Sequence, residues 1–498
     1  MTELISPMLA SLPLLLWRTP PGLELILAQE GVAYETVKDA HPLSFRGSRF
    51  VLFDSRAEGA SSLGSLLTAD HVTIDVNDLR RGERIDPFAA LVDQRTARGS
   101  WTVGPWTVSE RVARYPKAWI RRRLIGRLRE AVTAAGGVWI RLAPFPYPYR
   151  SAFSFRADLD ESAPEDYHRF AAARAPLAGC CTHFVSTHAY THHAAVLRDL
   201  RGQDTQSHGH FHHVYREPEA NRVNLERSHR ILRSSGFEPV GFAGPHGRWR
   251  ESLDDQLEDL GYLYSSDFQI GYDDFPFYPW KGSRFSRVLQ VPVHPVCEGL
   301  FLEAGLDDPE VIGAYFRQVV DSRLDAGELA VVYGHPERRL GRMPAILTML
   351  GQAIENHPLV WRATFSELAR WWRWRGERRW LVIPREDQRL EIQFDEWDTE
   401  YDFALEIHRG RFQCCLPVTG PRMSLGLGGL AYERCQQSEA GLEAPALERG
   451  GMSLKQAVQA ALDWETVTPV EEISGSSISN RVKRGLRRWK HKRAGTSS

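Results

Sequence analysis

Ser154-Phe-Arg-Ala-Asp-Leu-Asp-Glu161 sets the reading of the chain: a short β-rich run, Ala152 to Arg156, leads into two carboxylates, Asp158 and Asp160. Six more runs of this kind follow it, Thr182 to Ser186, Asp204 to Ser207, Val240 to Phe242, Tyr262 to Ser265, Val288 to Val293 and Leu329 to Tyr333. Helical stretches lie between several of them. One runs from Pro218 to Ser235 and stops at Gly236; another, Asp308 to Leu324, opens as Asp-Pro-Glu. Strands alternating with helices at this spacing predict repeated βα units, an α/β fold.

Acids and histidines recur just after these runs. Asp158 and Asp160 follow the first, His188 the second, His208 and His212 the third, the Pro245-His246-Gly247 turn the fourth, Asp267 the fifth, His294 the sixth and His335 the seventh. In a β/α barrel all strand C-terminal ends open on one face, so these groups are expected to meet around one pocket.

The richest ligand source is Gln206-Ser-His-Gly-His-Phe-His-His213. Its i,i+4 pair, His208 and His212, can aim two imidazoles at one ion from a turn of helix. A carboxylate completes a His₂Asp set, and Asp160 is the expected third ligand. Asp158, two residues earlier and on the same side of an extended segment, is then free to act as a base. His210 and His213 are expected as spectators, and His183, His192 and His193 as ordinary core or surface histidines. Mixed N/O donors suit Zn²⁺, the expected metal, while Co²⁺, Ni²⁺, Mn²⁺ or Fe²⁺ fit the same set.

These segments resemble the polysaccharide deacetylase family, the NodB-homology fold, over residues 150–345, under half the chain. Ser154 to Glu161 is similar to its first motif, Ser207 to His212 to its His-x-x-x-His second motif, and Phe242 to Trp249 to its third. Tyr264-Ser-Ser-Asp267 resembles the fourth motif region and Val331-Val-Tyr-Gly-His-Pro336 the fifth. The resemblance implies a distorted (β/α) barrel and a hydrolase acting on non-peptide C–N bonds, removing N-acetyl groups from an amino sugar or glycan. It implies Asp158 as base, His335 as acid, one divalent metal on Asp160, His208 and His212, and a pocket wall including Pro245, Gly247, Arg248, Trp249 and Asp267. One position departs from the pattern. Where the family's third motif carries an Arg that contacts the catalytic Asp, this chain has Ala243, and Arg248 or Arg156 are the candidate replacements. The alternatives are a catalytically degenerate glycan-binding scaffold on the same barrel and a hydrolase of a non-sugar amide.

Residues 1–147 mix apolar runs, Leu23 to Leu27, Phe50 to Phe53 and Val72 to Val76, with helical stretches such as Trp119 to Leu128, and predict a small α/β domain. The barrel is assigned to 148–378, where Trp361 to Trp380 reads as a closing amphipathic helix. Residues 379–470 predict a β-rich accessory domain. Residues 471–498 predict a flexible basic tail, with eight Lys/Arg between Arg481 and Arg493. A solvated tail is the plain reading; contact with a membrane face or anionic polymer is the other.

Lys and Arg number 62 against 63 Asp and Glu, a net charge of −1, so no global field recruits nucleic acid and none is expected as a partner. With 42% apolar residues over 498 positions, two or three domains can each bury a core. The six cysteines include the adjacent pairs Cys180-Cys181 and Cys414-Cys415 and form no C-x-x-C, which argues against a thiolate zinc site and a disulfide framework. The apolar run Met8 to Trp17 has no basic residue ahead of it and is too short to span a bilayer. It is expected as a core strand or buried helix of a cytoplasmic protein.

Overall fold

The computed structural model describes residues 13–37, 50–68, 71–161, 163–191, 194–385, 389–410, 412–434, 446–448, 454–473 and 475–494. Residues 8–12 of the first apolar run, His192, His193 and Ser474 lie outside these.

The centre is a parallel sheet built from β1 (Ser151–Leu159), β2 (Cys181–Val185), β3 (Asp204–Ser207), β4 (Gly241–Ala243), β5 (Tyr264–Ser266), β6 (Leu289–Gln290), β7 (Leu329–Gly334) and β8 (Val360–Arg362). Its order is β6-β5-β4-β3-β2-β1-β7, with β8 also paired to β1. Every pairing is parallel. All nine residues of β1 are buried, as expected of a strand covered on both faces. The edges β6 and β7 share no ladder among the described residues. They meet beyond β6, where the His294 N–H donates to the Val331 carbonyl at 2.9 Å, so the sheet curls into an incompletely closed barrel. The seven predicted runs fall on β1 to β7. The segment expected as one helix from Trp361 divides into the end of β8 and a helix Phe365–Glu377, started by a capping box between Thr364 and Glu367.

On one flank is a four-stranded parallel sheet ordered Tyr34–Val37, Leu14–Trp17, Phe50–Phe53, Val72–Asp75. The apolar run Leu23 to Leu27 is helical, part of Pro21–Glu30, which opens on a proline and ends at Gly31 with φ 68°. The β-rich region after the barrel contains Trp380–Pro384, Arg389–Phe394 and Arg422–Gly426 in one antiparallel sheet. The two flanks interlock: strand Trp139–Leu142 pairs with Ala404–Arg409, so a boundary at 147 cuts a shared sheet. Buried Arg121 binds Glu30 and, at 2.7 Å, Asp274, while Arg141 binds Glu30 and, at 2.7 Å, Glu406. Burial works against the charge of Glu30, but Arg141 and Arg121 outweigh it and hold the carboxyl below its ordinary range.

The basic C-terminal segment is not the flexible tail expected from its charge. It forms a helix, Ile478–Ala494, pinned by buried Lys483 and Arg487, which lie 2.6 and 3.0 Å from the Glu465 carboxylate. A buried acid supplied from outside the segment is what orders it. Among the described residues no helix is long and apolar enough to cross a membrane.

Candidate active site

At the end of β1 the order Arg156-Ala-Asp158-Leu-Asp160, whose last residue directly follows the strand, places three charged residues at two-residue spacing, hence on one side. Arg156 is buried and donates to both carboxylate oxygens of Asp158, Nε to Oδ1 at 2.7 Å and Nη2 to Oδ2 at 2.6 Å. Its Nη1 donates to the Ser266 carbonyl at 2.8 Å, and its guanidinium lies over the rings of Phe184 and Tyr333. The cation absent at Ala243 is therefore supplied from Asp158's own strand.

The imidazoles come from the loop after β3. His208 and His212 are not on a turn of helix as expected: the loop bends at Gly209, whose φ of +84° interrupts any right-handed turn. Buried Asn224, on the helix Pro218–Ser234, fastens the loop, accepting from the Phe211 N–H at 2.7 Å and donating to the carbonyls of Phe211 and His213 at 3.2 Å. The His208 Nδ1–H donates to the Ala243 carbonyl at 2.7 Å, which turns Nε2 towards Asp160. His208 Nε2 and His212 Nε2 lie 3.2 and 3.3 Å from Asp160 Oδ1. Burial pushes His212 down to about 4, with Asp160 only partly offsetting it. Asp160 itself sits well below the usual carboxylate range. Burial opposes its charge, and His212, His208 and His335 together prevail.

Asp160 Oδ1 is buried and accepts no hydrogen bond. One ligand atom from each of Asp160, His208 and His212 thus lies within 4.8 Å of the others. A divalent ion that takes N and O donors fits such a trio.

His335 follows β7 and faces the same space, its Nε2 3.5 Å from Asp160 Oδ2. Its Nδ1 lies 2.8 Å from Glu298 Oε1, which also accepts the His335 backbone N–H at 2.9 Å. Burial would lower this imidazole, but the carboxylate of Glu298, with Cys297 beside it, holds it well above the ordinary histidine value. Glu298 is fully buried at the start of helix Glu298–Glu303. A Cβ at Gly334 would stand 2.5 Å from Glu298 Oε2, so glycine at the end of β7 permits this approach. Sequence reading did not single out Glu298.

The third-motif turn divides. His246, in the left-handed region at φ 57°, is exposed, and its ring centroid lies 4.8 Å from that of His212. It too went unassigned. Pro245 and Gly247 are buried within the turn, and Arg248 and Trp249 are half-buried. Asp267, expected on the pocket wall, is 0% exposed and cannot touch a substrate. It accepts from the Gly244 N–H at 2.8 Å, from Gln290 at 3.2 Å and from Ser265, and so holds the turn from behind. His294 is also absent from the site, bonded at 2.8 Å to the Tyr315 hydroxyl. His188 packs on His210 and Phe211. A cleft of about 420 Å³ opens at the strands' opposite, N-terminal end, beside Asp204, Gln206, Ser366 and Arg370, and touches none of the groups above.

No family model and no curated protein matches the sequence. Among solved structures, the chain is similar to a Mycobacterium smegmatis protein described as a polysaccharide deacetylase, at 21% identity and TM-score 0.41, covering 46% of this chain and 93% of that one. It is similar to Puue allantoinase at 20% identity and TM-score 0.40, covering 46% and 93%. A family 4 carbohydrate esterase from Streptomyces lividans matches at 10% identity and TM-score 0.31, covering 43% and 91%. Solved polysaccharide deacetylases are thus what this chain is similar to, over about 46% of its length.

Proposed function

We propose that this protein is a metal-dependent amide hydrolase that removes the acetyl group from an N-acetylated amino sugar. The observation that carries the reading is the convergence of ligand atoms from Asp160, His208 and His212, with a guanidinium-bound carboxylate, Asp158, on one side and a carboxylate-bound imidazole, His335, on another. Asp160, His208 and His212 would hold the cation, whose charge polarises a carbonyl and acidifies water.

Asp158 Oδ2 is 3.8 Å from His208 Nε2, at the edge of the metal-binding trio, and is the base for the proton of an attacking water. Arg156 keeps its two oxygens fixed and charged-paired, so the base cannot swing onto the metal donors. As the water oxygen bonds to the acetyl carbon and the C–N bond breaks, His335 Nε2 delivers a proton to the departing nitrogen. Glu298 on Nδ1 orients the ring for that transfer and compensates its positive charge. The products are acetate and the free amine.

Elemental mass spectrometry on untagged, dialysed protein should give about one equivalent of transition metal, lost in His212→Ala. The loaded protein should release acetate from N-acetylglucosamine oligomers. Bound metal without acetate release from any N-acetyl sugar would overturn the substrate assignment.

A further inference from the structure

The C-terminal helix Ile478–Ala494 is amphipathic in the inverse sense to a core helix. Its inward side is polar: Lys483 reaches Glu465 and the Asp463 carbonyl at 2.6 and 2.7 Å, Arg487 reaches Glu465, and Arg484 donates to the Ile473 and Gly475 carbonyls at 3.2 and 3.3 Å. Its outward side carries Ile478, Val482, Leu486 and Trp489, exposed by 72%, 45%, 43% and 54%. At about 100° per residue these four span an arc of about 80°. Arg481, Arg488 and Lys492 border one side of the arc and Lys490 the other, all exposed, and the helix contains no acidic residue. An ordinary surface helix buries such a stripe and exposes its charges.

We propose that this helix docks the protein on an anionic lipid bilayer, lying in the interface with Ile478, Val482, Leu486 and Trp489 at the acyl boundary. The bordering guanidinium and ammonium groups then meet headgroup phosphates and carboxylates, and the indole of Trp489 takes the headgroup level. The charge pattern selects this occupant. A second copy would bring an equally basic, acid-free helix against the first, and a nucleic acid offers the phosphates but no apolar phase for the stripe. Because the polar side is already tied to Glu465, the helix is formed and oriented before it meets the surface.

Flotation of the full-length protein with vesicles tests this. Vesicles of phosphatidylcholine and phosphatidylserine at about 3:1 should bind it at least ~10-fold more tightly than phosphatidylcholine alone. Val482→Ser/Leu486→Ser should lose at least ~10-fold in that binding. Arg481→Ala/Arg488→Ala should lose the preference for the anionic vesicles. Both variants change exposed side chains, so their thermal unfolding should match the wild type. Equal binding to both vesicle types, unchanged flotation of the apolar variant, or no flotation would overturn the proposal. A concentration-dependent dimer abolished by Val482→Ser/Leu486→Ser would assign the stripe to a second copy, and tight binding to an RNA without flotation would assign it to nucleic acid; either result overturns the bilayer.

Discussion

Arg156 and Asp158 stand two residues apart on one strand and close a two-pronged ion pair at 2.7 and 2.6 Å, both side chains buried. Adjacent same-face positions thereby perform what two separate segments would otherwise have to arrange. Removing one partner of such a pair leaves a buried charge alone, which costs about 3–5 kcal/mol. Arg156→Met should therefore lower stability by about that amount in denaturant unfolding and cut kcat at least ~100-fold, while metal content stays at the wild-type level.

The two aspartates should separate cleanly by assay. Asp158→Asn should keep its metal and lose about 10²–10⁴ in kcat, the size expected for a general base. Asp160→Asn should lose the metal with the activity. Elemental analysis of the two proteins side by side decides it: metal lost from Asp158→Asn and kept in Asp160→Asn would mean that the roles are exchanged.

Asp267 gives a pH signature in stability. Burial pushes its carboxyl up from 3.8 to about 6, with Ser265 and Arg156 only partly opposing. A folded-state value above the unfolded one means that the folded protein binds the proton more tightly. This stabilising contribution is full below about pH 4 and is lost as pH rises through about 6, amounting to about 3 kcal/mol. Asp267→Asn, which cannot ionise, should gain on the wild type over that interval. The difference in Tm, wild type minus variant, should fall between pH 4 and 7; a flat difference would contradict it.

Glu465 neutralises both Lys483 and Arg487. Glu465→Gln leaves two buried cations without an anion and should release the helix Ile478–Ala494 at a cost of about 3–5 kcal/mol. Limited proteolysis should then cut between residues 473 and 485 long before the barrel unfolds.

The sequence made β1 to β7 legible because apolar runs bounded by Gly, Pro and polar clusters are local signals. Asp158, Asp160, His208 and His212 were legible for the same reason, since their spacing within two short segments carries the chemistry. Arg156 was quoted as one of two replacements, but its selection over Arg248 depends on the sheet placing Ser266, Phe184 and Tyr333 around it. Glu298 lies 37 residues before His335 and has no motif of its own. Asn224 looks like any polar helix position until the loop above it is seen. Leu23 to Leu27 was read as an apolar run set apart from the helical stretches because four apolar residues around Glu24 fit a strand or a buried helix equally. The C-terminal helix was hidden because its ordering partner, Glu465, lies outside the basic run.

The pairing of strand Trp139–Leu142 with Ala404–Arg409 bears on how the chain is born. Arg141 and its partner Glu406 are 265 residues apart, with the whole barrel between them. At about 5–20 residues per second, a ribosome spends roughly 13–50 s making that intervening stretch. Throughout that interval one edge of the early strand has no partner, and Arg141 lacks half of its counter-charge. The strand Trp139–Leu142 therefore waits for the last fifth of the chain to emerge, and a stop before residue 404 leaves it without that partner. The barrel can close on its own schedule; its flanks are finished together.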